Sequence, residues 1–127
     1  MNEVSEKIRN FTDMYAWKDG HRLVLMIYEC TRKFPREEIY GLVSQMRRAA
    51  VSVTSNLAEG FGHRTMPDKA QFYTITAGSL SELHNQLIIV RDLALISDVD
   101  FNTIQEQLIR THKLVNGLIS STRTPRF

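Results

Sequence analysis

The sequence predicts an all-α protein, an up-down-up-down antiparallel four-helix bundle. Along four long stretches, apolar residues recur at gaps of three and four, which is the spacing of one helix face. The 3 prolines lie where helices should begin or end. The links between the stretches are short, which makes consecutive helices antiparallel neighbours. The 127 residues, 43% of them hydrophobic and 24% charged, are expected to form a single domain, 1–127.

The first helix is predicted over about residues 15–34 and ends before Pro35. Its apolar face is formed by Trp17, Gly20, Val24, Ile27, Thr31 and Phe34, with Leu23, Met26 and Cys30 on an adjoining stripe. So much apolar surface implies that this helix contacts more than one neighbour.

The second helix is predicted over about residues 36–60, with Pro35 at its start. Its apolar face has near-heptad spacing, at Ile39, Val43, Met46, Ala50, Val53 and Leu57. This spacing favours shallow left-handed packing between long helices. Gly41 here and Gly78 in the third helix each cost about 1 kcal/mol relative to alanine. A close approach of two helices would explain both glycines.

The third and fourth helices are predicted over about residues 68–96 and 101–121, the third beginning near Pro67. The apolar face of the third is Phe72, Thr76, Leu80, Leu83, Leu87, Val90 and Ala94, and that of the fourth is Ile104, Leu108, Val115, Leu118 and Ile119. Asp98 or Asp100 could cap the fourth helix with a side-chain oxygen.

Composition excludes several classes of protein. The 1 cysteine, Cys30, allows no internal disulfide and fits a reducing cytoplasm. Met1–Asn10 is charged and has no apolar core of signal-peptide length. No apolar run approaches the roughly 20 residues of a membrane span. We therefore expect a cytoplasmic protein with no membrane partner, and its net charge of +2 is not that of a polybasic chain.

No motif for catalysis or cofactor binding stands out. Gly60-Phe61-Gly62 is not followed by the Gly-Lys-Ser/Thr of a phosphate loop. No histidine lies three residues after a glutamate, which is the spacing that di-iron bundles use. Cys30 on an apolar stripe is typical of an inert core residue. We expect no enzymatic activity, no catalytic residue, no metal and no cofactor.

Polar side chains form strips on the second and third helices. The second carries Gln45, Asn56 and Glu59, and the third carries Glu82 and Gln86, at helical spacing. Facing carboxylates could hold a metal, but the required Glu-x-x-His pairs are missing. We interpret the strips as a structural hydrogen-bonded network between helices or subunits, which fixes the register of an apolar seam.

Basic residues form two small clusters at the links. Arg32, Lys33 and Arg36 lie at the first link, and Arg64 and Lys69 lie at the second with His63. These links fall at opposite ends of an antiparallel bundle. The cations that could extend either cluster are Arg110, Lys113, Arg123 and Arg126.

Arg47 and Arg48 form a third basic site, on the second helix. Adjacent residues point about 100° apart, so one is expected to pair with Glu59, Glu82 or a neighbouring subunit while the other faces solvent. Because a guanidinium binds carboxylate and phosphate alike, structural ion pairing and phosphate binding are both open for all these cations.

Several motifs carry a resemblance to a known family. They are Trp17, the turn Thr31–Pro35, Tyr40-Gly41-Leu42, Gln45, Arg47–Ala50, Ser55–Gly60, Gly78-Ser79-Leu80, Glu82-Leu83 and Gln86-Leu87. Over about residues 15–118 the chain resembles the bacterial four-helix-bundle family encoded in intervening sequences of 23S ribosomal RNA genes. It departs from that family at Leu93–Ile96, which lacks the glycine that commonly closes the third helix.

The resemblance implies a four-helix bundle that forms a homopentamer and binds RNA or another nucleic acid. The nucleic-acid candidates are Arg32, Lys33, Arg36, Arg47, Arg48, Arg64 and Lys69. The alternative is a structural or adaptor oligomer that binds a protein, since related bundles assist reverse transcriptases. The modest net charge favours the adaptor, and the resemblance favours nucleic-acid binding.

Overall fold

The computed structural model describes residues 7–123 and contains four α-helices. These are α1 (Tyr15–Thr31), α2 (Ser44–Gly62), α3 (Met66–Asp92) and α4 (Asp98–Arg123). A 3-10 turn at Phe11–Asp13 precedes α1, and a 3-10 turn at Arg36–Glu38 and a π-turn at Ile39–Val43 precede α2. Residues 7–123 contain no strand, so the predicted all-α class is confirmed.

The helices form the predicted up-down-up-down bundle. Each helix packs against the one before and after it, and α1 closes the bundle against α4. The largest fully buried side chains come from all four helices and include Leu23, Ile27, Met46, Leu57, Leu80, Leu83, Leu87, Leu108 and Val115. Burying each of the larger ones contributes about 1.5–3 kcal/mol relative to exposure, so this core holds the bundle together.

The α1–α2 link differs from the prediction. Helix α1 ends at Thr31 rather than residue 34, and the predicted continuous helix over 36–60 is interrupted. The interruption lies at Gly41, whose φ of −109° and ψ of −108° are not helical. Regular α-helix therefore begins only at Ser44, and Ile39 is 44% exposed instead of contributing to the core.

Helix α3 begins earlier than predicted because Thr65 caps it. The Thr65 hydroxyl accepts a hydrogen bond from the Asp68 backbone N–H at 3.2 Å, and Pro67 lies in the first turn, where it displaces no hydrogen bond. At this end of the helix Tyr73, rather than the predicted Phe72, is buried.

Helix α3 ends at Asp92, four residues before the predicted boundary. Ala94 has a φ of 58°, in the left-handed region. The Leu95 N–H bonds Val90 O at 2.9 Å and the Ala94 N–H bonds Arg91 O at 2.9 Å. This is the Schellman pattern that closes a helix, with alanine in the position that usually holds glycine.

Helix α4 begins at Asp98 and is capped by Ser97. The Ser97 hydroxyl accepts from the Asp100 N–H at 3.1 Å, so the predicted capping role of Asp98 or Asp100 is wrong. Both aspartates instead lie in the first turn, where their charge suits the positive end of the helix dipole.

Close helix contacts occur at glycines other than those predicted. A Cβ on Gly60 would lie 2.7 Å from Tyr73 Cε1, and a Cβ on Gly20 would lie 3.2 Å from Val53 Cγ1. At Gly78 a Cβ would meet nothing within 4 Å in the single chain, and at Gly41 only Glu38. The predicted reason for Gly41 and Gly78 is therefore wrong within one chain.

The topology gives the bundle two distinct ends. We call one the α1–α2 end, which holds residues 31–44 and the α3–α4 link. We call the other the α2–α3 end, which holds residues 7–15, the α2–α3 link and the last turn of α4.

Candidate nucleic-acid interface

The predicted cluster at the α1–α2 end is only partly free. Arg32 Nη1 lies 2.8 Å from Glu29 Oε1, and both side chains are more than 60% exposed. Lys33 and Arg36 are exposed and have no ion pair within residues 7–123. Carboxylates without an ion pair in the same described part of the chain accompany them: Glu37, Glu38, Asp98 and Asp100. The unpaired carboxylates therefore outnumber the unpaired cations of the predicted cluster at this end.

Arg47 is turned toward the protein. Its Nε donates to Thr31 Oγ1 at 2.9 Å and its Nη2 donates to Tyr28 O at 3.3 Å, while the guanidinium lies 4.4 Å from the Tyr28 ring centroid. Arg47 thus caps the carboxyl end of α1. Pairing with Glu59 or Glu82 was predicted for one of the two arginines, and Arg47 makes neither pair.

Arg48 is the arginine that faces solvent. Its side chain is exposed and has no hydrogen bond or ion pair among the residues described. The two adjacent arginines therefore have different roles: Arg47 is a structural cation and Arg48 is a free cation.

The residues of the predicted cluster at the second link also differ in whether they are free. Lys69 Nζ donates to Phe61 O at 2.8 Å and to Gly60 O at 3.3 Å, so it caps the end of α2. Arg64 is exposed, and no described residue pairs with it. His63 packs on Phe72 with ring centroids 4.7 Å apart and lies 3.8 Å from Asp68.

Further cations lie at the α2–α3 end, and three of them, Lys7, Arg9 and Lys18, were not among the predicted cluster residues. Lys7 and Arg9 precede α1, Lys18 lies in its first turns with Nζ 5.6 Å from the Tyr15 ring centroid, and Arg123 ends α4. The up-down topology alone could have located the first three here, since α1 starts where α2 ends. Of the residues predicted to extend a cluster, Arg123 lies here, Arg110 donates to Gln107 Oε1 at 3.1 Å in mid-helix, and Arg126 lies outside the described residues.

Most carboxylates at the α2–α3 end are already engaged. Asp13 accepts the backbone N–H groups of Arg9 and Asn10, and Asp19 pairs with Arg22 at 3.0 Å. Asp68 lies near His63. Of the carboxylates described at this end, only Glu59 has no partner, whereas Lys7, Arg9, Arg64 and Arg123 are unpaired cations. This end therefore carries the excess of free positive charge.

An apolar cavity opens at the same end. Its volume is about 390 Å³, and its walls include Ile8, Tyr15, Phe61, Leu118 and Tyr73, with Lys69 beside them. Tyr73 is 4% exposed, and burial raises the pKa of its hydroxyl. Tyr15 is 67% exposed and forms part of the mouth. The convergence of α1, α2, α3 and α4 on this cavity brings aromatic and cationic groups together.

A second cavity of about 420 Å³ lies between α1 and α4, with Cys30 in its wall. The Cys30 thiol is buried and donates weakly to Ile27 O at 3.6 Å. Burial, and secondarily Asp100, raises the pKa of the Cys30 thiol to about 11, although Arg47 and Lys33 oppose the shift. The thiol is thus protonated near neutral pH and a poor nucleophile.

A serine pair next to the predicted polar strips joins α2 to α3. Ser52 Oγ lies 2.8 Å from Ser79 Oγ, and Asn56 Nδ2 donates to the Ser52 hydroxyl at 3.0 Å. Gln86 Nε2 donates to Glu82 Oε2 at 3.3 Å, and the buried Gln86 Oε1 has no partner in the described chain.

The outer members of these strips are not joined within one chain. Gln45 and Glu59 are exposed, and neither side chain bonds another residue of the described part. Their participation in a network between subunits stays a prediction.

Residues 7–123 hold no cluster of three or more His, Cys, Asp or Glu side chains that could bind a metal ion. His84 Nε2 instead lies 2.8 Å from Gln105 Oε1, which links α3 to α4. None of the helices in the described chain has the length and apolarity to cross a membrane.

Comparison with known proteins bears on this arrangement. The sequence model of the family described as 23S rRNA-intervening sequence protein matches residues 12–117. A protein of unknown function from the S23 ribosomal protein family of Bacteroides thetaiotaomicron VPI-5482 has a similar crystal structure, with a TM-score of 0.77 and 15% identity over 83% of this chain and 95% of that one. At that identity the likeness shows the fold. Comparison with curated proteins gave no match.

Proposed function

Given that the chain belongs to the 23S rRNA-intervening sequence protein family, we propose that it is a non-enzymatic helical-bundle protein that binds RNA through the α2–α3 end. The observation that carries the proposal is the imbalance of free charge. Within residues 7–123, Lys7, Arg9, Arg64 and Arg123 have no ion pair, against Glu59 alone among the described carboxylates at this end. A cation that has no ion pair in the protein can bind an RNA phosphate and release its counterions, because no existing ion pair has to break first.

A non-enzymatic role is supported by how the reactive side chains are used. The thiol of Cys30 is buried, His21 stacks on Trp17 with ring centroids 4.8 Å apart, and His84 bonds Gln105. These groups stabilise helix packing. The unpaired buried thiol also suits the reducing cytoplasm in which we place the protein.

The decisive experiment compares two triple variants in RNA-binding titrations at several salt concentrations. Changing Arg9, Arg64 and Arg123 to Ala should weaken binding and flatten the slope of log K against log salt by about two units, since each lost contact to single-stranded RNA removes about 0.7. Changing Arg32, Lys33 and Arg36 to Ala is the matched control, because it removes the same formal charge from the end where unpaired carboxylates outnumber the cluster's unpaired cations.

Two results would contradict this function. Equal loss from both triple variants would show that net charge, rather than the α2–α3 end, drives binding. If the unmodified protein shows no salt-dependent binding to RNA, the RNA-binding function is wrong. The adaptor function, in which the bundle binds another protein, would then take its place.

We also propose that the chain assembles with itself, in the ring of five that the family resemblance implies. Ile75 and Ile89 are 45% and 38% exposed, and they flank Glu82 at spacings of seven residues along α3. Spacing of seven is that of a helix seam, and Gly78 beside it leaves open space for a close approach. Gln45 and Glu59 lie along the adjoining face of α2, where a second subunit would cover them.

Light scattering with one matched pair of variants tests the assembly. The unmodified protein should have about five times the chain mass of 14.7 kDa. Ile89→Glu should lower that mass, whereas Ile109→Glu on α4, where the isoleucine is similarly exposed at 41%, should leave it unchanged. A mass near one chain at micromolar concentration for the unmodified protein would contradict assembly.

A further inference from the structure

The cavity at the α2–α3 end contains a polar group with no partner. Tyr73 is 4% exposed and lines the cavity, and its hydroxyl has no hydrogen bond to any residue in the range 7–123. The hydroxyl is not one of the fully buried polar atoms, so it is accessible from the cavity and can bond a group that enters it. Apart from Lys69, Ser121 and Thr122, the other side chains that line the cavity are apolar or aromatic.

We propose that this cavity binds one unpaired base of single-stranded RNA, with the Tyr73 hydroxyl as a hydrogen-bonding partner of the base. The inference rests on the proposed RNA-binding function and adds to it the form of RNA that is recognised. A volume of about 390 Å³ lies at the small end of the roughly 300–1,000 Å³ of ligand pockets, which suits a single nucleotide.

The aromatic walls suit the flat face of a base. Tyr15 is 67% exposed at the mouth and Phe61 is half-buried, so a base that enters meets two rings. Stacking on aromatic side chains is how proteins commonly hold unpaired bases, and it tolerates any base identity.

The charge at the mouth selects a nucleotide over an apolar occupant. Lys69 is in the wall, and Lys18 lies over the exposed ring of Tyr15. The free cations Arg9 and Arg64 belong to the segments next to Ile8 and Met66, which also line the cavity. Phosphates on either side of an inserted base would meet this charge, whereas the side chain of an apolar protein segment would leave it unused.

Base pairing would prevent this contact. In a duplex the bases are stacked and paired inside the helix, so their faces cannot reach Tyr15 or Tyr73 without unpairing. The protein is therefore expected to prefer a single strand to a duplex of equal length.

The test uses fluorescence anisotropy with a labelled single-stranded RNA and with a blunt RNA duplex of the same length. Ser121→Trp should fill the mouth of the cavity, because Ser121 is exposed and lines it, and should weaken single-strand binding by about tenfold. Asn116→Trp, on an exposed position of α4 outside the cavity, is the matched control and should bind like the unmodified protein.

Two more variants test the proposal without filling space. Tyr73→Phe removes only the hydroxyl and should weaken single-strand binding several-fold. Tyr15→Ala should do the same through lost stacking, while Tyr40→Ala, which removes a tyrosine that is 95% exposed at the other end, should have no effect. Unchanged molar mass and melting temperature show that each variant is folded.

The outcomes separate the two levels of the argument. Salt-dependent RNA binding with no preference for a single strand, or with Ser121→Trp and Tyr73→Phe unchanged, would overturn the base-binding cavity and leave the proposed function standing. Absence of salt-dependent binding to either RNA would overturn the function and the cavity's role together.

Discussion

Arg47 of α2 donates from Nε to the Thr31 hydroxyl at the end of α1, at 2.9 Å. The Thr31 hydroxyl in turn donates a hydrogen bond to Ile27 O at 2.7 Å, so one hydroxyl serves as acceptor for α2 and donor within α1. The same guanidinium covers the Tyr28 ring. A residue that sequence patterns present as a candidate for phosphate binding therefore stabilises the carboxyl end of α1.

Replacing Arg47 should destabilise the protein. Arg47→Ala removes two hydrogen bonds and a cation–π contact, and we expect the free energy of unfolding to fall by about 1–3 kcal/mol. Arg48→Ala, one residue away and exposed, should change it by less than about 0.5 kcal/mol. Chemical denaturation at one fixed protein concentration measures both, since assembly makes stability concentration-dependent. Equal losses would show that the Thr31 contact contributes nothing.

Ala94→Gly should stabilise the protein. Ala94 closes α3 with a φ of 58°, a conformation that costs an L-residue about 1–2 kcal/mol and costs glycine little. We expect a gain of about 1 kcal/mol in the free energy of unfolding. Ala70→Gly, inside α3, is the control and should lose about 1 kcal/mol, because glycine is a poor helix former. A loss at both positions would mean that Ala94 does not hold the left-handed conformation in solution.

Gly60→Ala should be strongly destabilising. The added Cβ would lie 2.7 Å from Tyr73 Cε1 and 3.0 Å from Phe72 Cβ, so α2 and α3 would have to move apart. Overpacking of this kind typically costs about 1–3 kcal/mol. Gly117→Ala, where a Cβ meets nothing within 4 Å, should instead gain up to about 1 kcal/mol from helix propensity. A melting temperature of Gly60→Ala equal to that of the unmodified protein would contradict the close contact.

The Cys30 thiol should react slowly while the protein is folded. With a pKa of about 11, the thiolate fraction at pH 8 is about a hundredfold smaller than for an ordinary thiol. Disulfide reagents should therefore label Cys30 at least that much more slowly in the folded protein than in guanidinium chloride. Rapid labelling of the folded protein would show that the Cys30 thiol is exposed to solvent and would contradict its burial.

The same thiol contributes a loss of stability in alkali. Its folded pKa lies above the ordinary value of 9.0, so the unfolded chain releases the proton first as the pH rises. The contribution is complete below pH 9 and is lost as the pH approaches 11. Cys30→Ala should show a shallower decline in stability over this range, and an unchanged decline would contradict the burial of the thiol.

Much of the core could be predicted because burial follows helical periodicity. Leu57 on α2 and Leu87 on α3 repeat with the core positions around them, and both are fully buried. Periodicity is less informative where the helix itself stops. Gly41 and Ala94 lie inside apolar patterns that continue past them, so the patterns predicted helices that extend too far.

The candidate site was predictable in its residue types but only partly in its location. Arg64 is free as expected, yet Lys69 is committed to the carbonyls that end α2. The sequence pattern did not mark Tyr73 as a site residue, because a tyrosine at helical spacing is typical of the hydrophobic core. Its proposed role depends on a hydroxyl that no residue in 7–123 pairs with, at the point where four helices converge.

The sequence by itself determined the helical class, the number of helices and most of the buried face, because each is a local consequence of the spacing of apolar side chains and of prolines. Only the tertiary structure decided which cations are free. Arg47 and Arg48 are chemically identical neighbours, and their roles separate because one lies within 2.9 Å of an acceptor on α1 and the other does not. That difference arises from the packing of α1 against α2, which brings together residues distant in the chain.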